Sequence, residues 1–197
     1  MNPLLIGTIL VMGLILVLDV EVAVFQKSAQ VLSDLLTPAT ICLAVPVYRQ
    51  HKILRENSWV VLISCLAGMI SGLVTIIGLA LILMMSEITT LSTLARSITM
   101  AIALDTTELI GGVAGIIVAG VIFAGIFGTV VSGLIFRIFR IEEPIAKGLT
   151  LGAASHAMGT AESLKASELQ GAMSSLAMVV SGVVMVGLIP LAALFVQ

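Results

Sequence analysis

Charge is what this sequence has least of. Only 10% of its 197 residues are Asp, Glu, Lys or Arg, where a soluble domain carries about 25%. A water-soluble fold of this size could not cover its own core with so few polar groups. The net charge of −2, with no basic run and no acidic tail, excludes nucleic acid as a partner. Cys42 and Cys65, the two cysteines, both lie in apolar segments and form no CxxC pair. They read as small core residues rather than ligands or a disulfide. Two histidines far apart in the chain cannot furnish a metal site. No HExxH, GxSxG or P-loop pattern is present, so neither enzyme nor cofactor is expected. Ser155 and His156 do not make a triad by adjacency, since geometry decides that. An intramembrane protease built on Asp105 is the one catalytic alternative.

What the chain does have is apolar length. It is 59% hydrophobic with 18 glycines and 4% aromatics, and its mean hydropathy is +1.24. Lipid is the solvent that suits this composition, and small residues suit close helix contacts within it. The expected fold is an all-α polytopic membrane protein, a single transmembrane domain over residues 1–197. Residues 59–85, 112–136 and 172–196 are each long enough to span, since a span needs about 20 apolar residues. Trp59 opens the first, where an interfacial aromatic belongs. Residues 3–18 make a marginal fourth span. They lack a basic flank, and Asp19 and Glu21 stand where cleavage-site residues would be, so no cleavable leader is expected.

Three apolar segments between the spans are interrupted. Residues 35–48 (LLTPATICLAVPVY) carry Pro38 and Pro46. Residues 96–110 (RSITMAIALDTTELI) are rich in hydroxyls and acids. Residues 144–161 (PIAKGLTLGAASHAMGTA) carry Gly148, Gly152 and Gly159. Irregular backbone at membrane depth survives only where protein packs around it or it lines a cavity, so all three should face inward. Arg49, Lys52 and Arg55 form one basic connector, and Arg137, Arg140 and Lys147 another, which predicts both to be cytoplasmic. Residues 96–110 must then enter and leave on one side as a re-entrant element. Residues 37–46 and 99–107 resemble each other weakly, as hydroxyl-plus-alanine runs beside long spans. Broken segments at matching places in two halves point to a transporter site built on an inverted repeat.

The strings LTPATICLAVPVYRQ, RSITMAIALDTTELIGG, FRIEEPIAKGLTLGAASHAMGTAES and ELQGAMSSLAM together resemble the LrgB/CidB family of bacterial membrane proteins. The likeness runs from Asn2 to about Leu191 and is most specific in ASHAMGTA and LTPAT…AVP. It implies two functions. One is an antiholin-like regulator of murein hydrolase export and lysis, acting with a small LrgA/CidA-like membrane partner. The other is transport of small carboxylates such as pyruvate, glycolate or glycerate, as relatives including a plant chloroplast fusion do. It also implies distant kinship with antiporter-like folds built on crossed, broken helices. This chain departs from the pattern in several places. Measured against that pattern, it is expected to be short of one membrane helix before the NPLL segment. Arg96 stands for a lysine, and Thr99-Met100-Ala101 for Thr-Thr-Pro. Asp105 stands for a glutamate, and Gln170-Gly171 for Glu-Gly. Glu162 replaces an arginine after GTA, which counts against an anionic substrate.

The candidate site residues fall in the three broken segments. Thr37, Pro38 and Thr40 form a break whose freed carbonyls and hydroxyls could bind substrate; the structural alternative is a plain kink satisfied by neighbouring helices. Arg96 could attract an anion or merely snorkel, and Thr99 lies on the same segment. Asp105 and Glu108, three apart, share a helix face; carboxylates at membrane depth mark ion or proton paths unless they reach the interface. His156 could carry a coupling proton or be a packed ring bonded to a carbonyl, with Ser155, Gly159 and Thr160 around it. Gly152 and Gly159 most simply permit close backbone approach. The remaining basic residues, and His51 with them, set topology.

These readings predict a proton-coupled carboxylate transporter or transporter subunit in the bacterial inner membrane. The lysis-regulator reading stands as the alternative. A chain this small with three interrupted segments would cover its polar backbone poorly, which predicts a homodimer or a complex with the LrgA/CidA-like partner.

Overall fold

The computed structural model describes residues 3–35, 38, 41–42 and 44–196, and every regular element among them is helical. The chain divides into two compact units, residues 1–45 and 46–197. In the first unit, Pro3–Val17 (α1), Val22–Ser28 (α2) and Gln30–Asp34 (α3) are helical. The 15 residues of α1 rise about 22 Å, short of the roughly 30 Å hydrocarbon thickness. Asp19, at φ 50°, ends that helix by letting Val20 N–H reach back to the Ile15 carbonyl (3.1 Å).

Two short helices, Ala44–Arg49 (α4) and His51–Glu56 (α5), carry the basic residues Arg49, Lys52 and Arg55 into the second unit. Three helices there are long and apolar enough to cross a membrane: Ser58–Ile82 (α6), Ala114–Ile138 (α9) and Glu168–Ala193 (α11). They match the three spans expected from the sequence within a few residues. Both α6 and α9 stop at a residue in the left-handed region, Met84 and Arg140. Each stop lets an amide reach back to a carbonyl five residues earlier, Met85 to Ala80 and Ile141 to Phe136 (both 2.9 Å), which satisfies the helix end.

The apolar clusters give the directions of the spans. One joins the late residues Leu73 and Ile76 of α6 to the early residues Ile117 and Val121 of α9 and to Met185 and Ile189, late in α11. The other joins Val61 and Cys65, early in α6, to Met173 and Ala177, early in α11. Hence α6 and α11 run parallel and α9 runs against them. Both basic connectors therefore sit at one end of the bundle.

Two helical hairpins fill the space between the spans. The first runs Glu87–Leu94 (α7), a 3₁₀ turn Ala95–Ser97, extended backbone at Ile98 and Thr99, then Met100–Leu109 (α8). The chain past α8 returns beside α7, where Val113 N–H donates to Ser92 Oγ at 2.7 Å. The segment expected to be re-entrant over 96–110 is thus one arm and the tip of a longer reversal. The second hairpin lies within Pro144–Ala166 (α10), whose single non-helical residue is His156 at φ 49°, ψ −128°. A straight helix would separate Leu151 and Gly159 by about 12 Å. Instead, a Cβ on Gly159 would collide with the Leu151 carbonyl, so the chain doubles back at His156. The arms meet α11 in opposite senses. Gly148 and Gly152 face Gln170 and Ser174 in rising order, whereas Thr160 and Leu164 face Ser174 and Gly171 in falling order. The third interrupted segment is therefore re-entrant too, and it enters from the basic end while the first hairpin enters from the other.

Candidate functional site

A groove of about 770 Å³ runs into the second unit from the basic end. One wall is α6, from Asn57 past Ser64 and Gly68 to Gly72; the other is the outer arm of the second hairpin, with Thr150 and Ala154. The 16 residues from Asn57 to Gly72 give it a depth of about 22 Å. Glu143 stands at the mouth, and Arg96 and Ser97 lie at the inner end. Glycine makes room for this tip on both sides. Ser97 Oγ would lie 3.8 Å from a Cβ on Gly72, and the Arg96 Cβ 3.6 Å from one on Gly120.

Arg96 is part-buried, and no carboxylate pairs with it among the described residues. The ion pairs among the described residues are Arg49–Glu168 (3.4 Å) and Lys165–Glu162 (2.9 Å), both exposed. Glu162 thus answers Lys165 outside the groove and does not oppose an anion within it. A sheltered guanidinium without a counter-ion is costly, and this one faces open volume.

The tip of the second hairpin meets the tip of the first. The His156 ring is buried, lies against the Ser97 main chain and is within electrostatic reach of Arg96. Its Nε2 has no hydrogen-bond partner; an unmet buried polar group costs about 1–3 kcal/mol. Its backbone adds roughly 1–3 kcal/mol, because a side chain is held where glycine is favoured. Strain and an open hydrogen-bonding valence coincide at one residue. From the first hairpin, α8 directs its N-terminal end toward the same level, and its N-cap Thr99 makes no side-chain cap bond.

Of the expected set, the structure places Arg96 on the groove and His156 near it, buried at the hairpin tip just behind the lining residues Ala153 and Ala154. Ser155 is buried beside them, but its Oγ faces Gly128 of α9 and has no partner. The Thr160 hydroxyl is turned into the fold, where it donates to the His156 carbonyl (2.9 Å) and pairs with Ser174 Oγ (3.0 Å). Gly159 seats one arm against the Leu151 carbonyl. Asp105 and Glu108 do share a face of α8, and that face is exposed, while Ala103, Thr106 and Thr107 point inward. Thr37 and Thr40 lie outside the described residues; Pro38 belongs to the first unit and is exposed. Sequence reasoning overlooked Ser97 and the α6 wall. Gly68 and Gly72 are four apart, a GxxxG spacing that permits close approach in membrane helices, and that spacing was the available signal.

Comparison with known proteins agrees over the whole chain. A family model described as the LrgB-like family matches residues 1–195. The "Antiholin-like protein LrgB" of Bacillus subtilis (strain 168) is 33% identical over 189 residues, covering 96% of this chain and 82% of its own. The protein of the same name from Bacillus mycoides (strain KBAB4) is 34% identical over 190 residues, 96% of this chain and 83% of its own. The "Uncharacterized protein YwbG" of Bacillus subtilis (strain 168) is 30% identical over 185 residues, 92% and 81% respectively. No solved structure matches. With three membrane-length helices and this extent of similarity, the chain is a membrane protein that belongs to the LrgB-like family.

Proposed function

We propose that this protein moves a small carboxylate, of the size of pyruvate, glycolate or glycerate, across the bacterial inner membrane. One observation supports the reading above others: the Arg96 guanidinium, unpaired with a carboxylate among the described residues, stands at the inner end of a groove open to one end of the spans. A compact anion would meet a charge-assisted donor there and the positive end of α8. Helix ends around broken segments at the repeat interface are the setting in which transporters hold substrate. His156, near Arg96, is the group we assign to proton coupling, because its Nε2 holds no hydrogen-bond partner and an imidazole nitrogen can take up or release a proton. In this reading the chain carries out transport and no covalent chemistry.

The names of the relatives support a second reading more directly, at the level of the cell. Antiholin-like proteins in the family favour a role in restraining murein hydrolase export and lysis, together with an LrgA/CidA-like membrane partner or as a homodimer. The two readings meet if carboxylate flux sets the proton balance that governs lysis.

Uptake of labelled pyruvate, glycolate and glycerate into liposomes holding the purified chain tests the first reading, with and without a pH gradient. We expect gradient-dependent uptake of at least one, reduced more than tenfold by Arg96→Gln. A folded protein that moves none of the three, even when an LrgA/CidA-like partner is added, refutes transport and leaves the regulatory reading.

A further inference from the structure

The second hairpin differs from the rest of the bundle in how it is held. Its arms touch α11 and each other through glycine, where main chain meets main chain: Gly148 on Gln170, Gly152 on Ser174 and Gly159 on Leu151. At those three points no side chain of the glycine interlocks with its neighbour; the cross-contacts that remain are few, such as Thr160 with Ser174 and Leu164 against Gly171. The apolar cluster behind it has five buried members, whereas the cluster behind the first hairpin has fourteen. Ser155, His156 and Ser163 each keep a buried polar atom with no partner. The residue that turns the chain, His156, is in a backbone conformation that side chains rarely adopt. Its neighbours Ala153 and Ala154 line the groove beside Arg96 and Ser97.

From these observations we infer that His156 is the second half of the solute site and that the tip of the second hairpin is its gate. The inference rests on the transport reading above. A carboxylate at Arg96 has two oxygens. One accepts from the guanidinium, and the other accepts from His156 Nε2–H, which completes the valence the ring lacks. The solute would bridge the two opposed tips, drawing residues 153–156 over the inner end of the groove. The first hairpin acts as the fixed half, since Leu94, Ala95 and Ile98 are fully buried in the larger cluster. The gate opens toward the basic end, where the groove has its mouth.

The test uses full-length protein in liposomes, with Cys42→Ser and Cys65→Ala and one new cysteine, either Ala154→Cys near the tip or Val60→Cys near the mouth. Labelling by a membrane-impermeant maleimide is followed with and without saturating pyruvate, alongside equilibrium binding of labelled pyruvate. We expect pyruvate to slow labelling at 154 more than tenfold and to leave labelling at 60 unchanged. The protection at 154 should vanish in His156→Ala and return in part in His156→Gln, which bears the same backbone but restores a donor. Thermal melting of both variants in detergent shows whether each is folded, and the Gln rescue separates a ligand contact from a structural role. Pyruvate binding without protection at 154, or protection that survives His156→Ala, overturns the gate and leaves transport standing. Absence of binding for pyruvate, glycolate and glycerate in the folded protein overturns both.

Discussion

The two hairpins enter the same three spans from opposite ends, yet different forces hold them. The first is packed by side chains. Leu91, Leu94 and Ile98 sit in an apolar cluster with residues of α6, α9 and α11, and Ser92 ties α7 to the start of α9 through Val113 N–H. The second is packed by the absence of side chains, with glycines against carbonyls and hydroxyls bonded across the gap. Lipid tails are as apolar as leucine, so burial from water does not hold membrane helices together; fit and hydrogen bonds do. The first hairpin uses volume to achieve that fit, and the second uses closeness. A surface built on closeness tolerates sliding but no added atoms, whereas a surface built on volume tolerates neither sliding nor loss.

That contrast can be broken from either side. The largest effect is expected for Leu94→Ala, which leaves a cavity in the cluster around the first hairpin; such truncations cost about 2–5 kcal/mol, and thermal melting in detergent should show it. Next comes Gly152→Ala, whose new methyl meets the Ser174 carbonyl; overpacking of this kind costs roughly 1–3 kcal/mol. Gly187→Ala, where nothing lies within 4 Å, should leave the melting temperature unchanged. Equal sensitivity at 152 and 187 would refute the backbone-contact account.

Smaller effects sharpen the comparison. His156→Gly relieves the positive φ that His156→Ala retains, so the Gly variant should melt above the Ala variant by a difference worth about 1–2 kcal/mol. The opposite order would mean that the turn is unstrained. The smallest effect belongs to the exposed pair Arg49–Glu168 (3.4 Å). A double-mutant cycle on it should give no more than about 0.5 kcal/mol, and less in high salt.

Much of this was legible because each feature was a local pattern. Spans α6, α9 and α11 follow from runs of apolar residues, and no tertiary information is needed to find them. Segment 144–161 stood out through Gly148, Gly152 and Gly159, and the same glycines proved to be the contact surface. The sheltered setting of His156 was also anticipated from that composition. Asp105 and Glu108 show the limit of the method: their spacing correctly put them on one helix face, but spacing cannot say which way a face turns. Here Thr106 and Thr107 take the inner positions. Ser97 passed unnoticed because a single serine in a hydroxyl-rich stretch carries no signal until the tip around it is formed.

The sequence by itself determined that this chain lives in lipid, that it is helical, which three segments span and which residues interrupt the remainder. Those are properties of composition and of periods shorter than a helix. Only the tertiary structure decided that residues 144–166 turn back at His156, that two hairpins enter from opposite ends, and that the tips bearing Arg96 and His156 come together, 60 positions apart in the chain. A reversal made by one residue's φ and ψ leaves no trace in hydropathy, and a meeting of two tips is set by how glycine-lined surfaces stack.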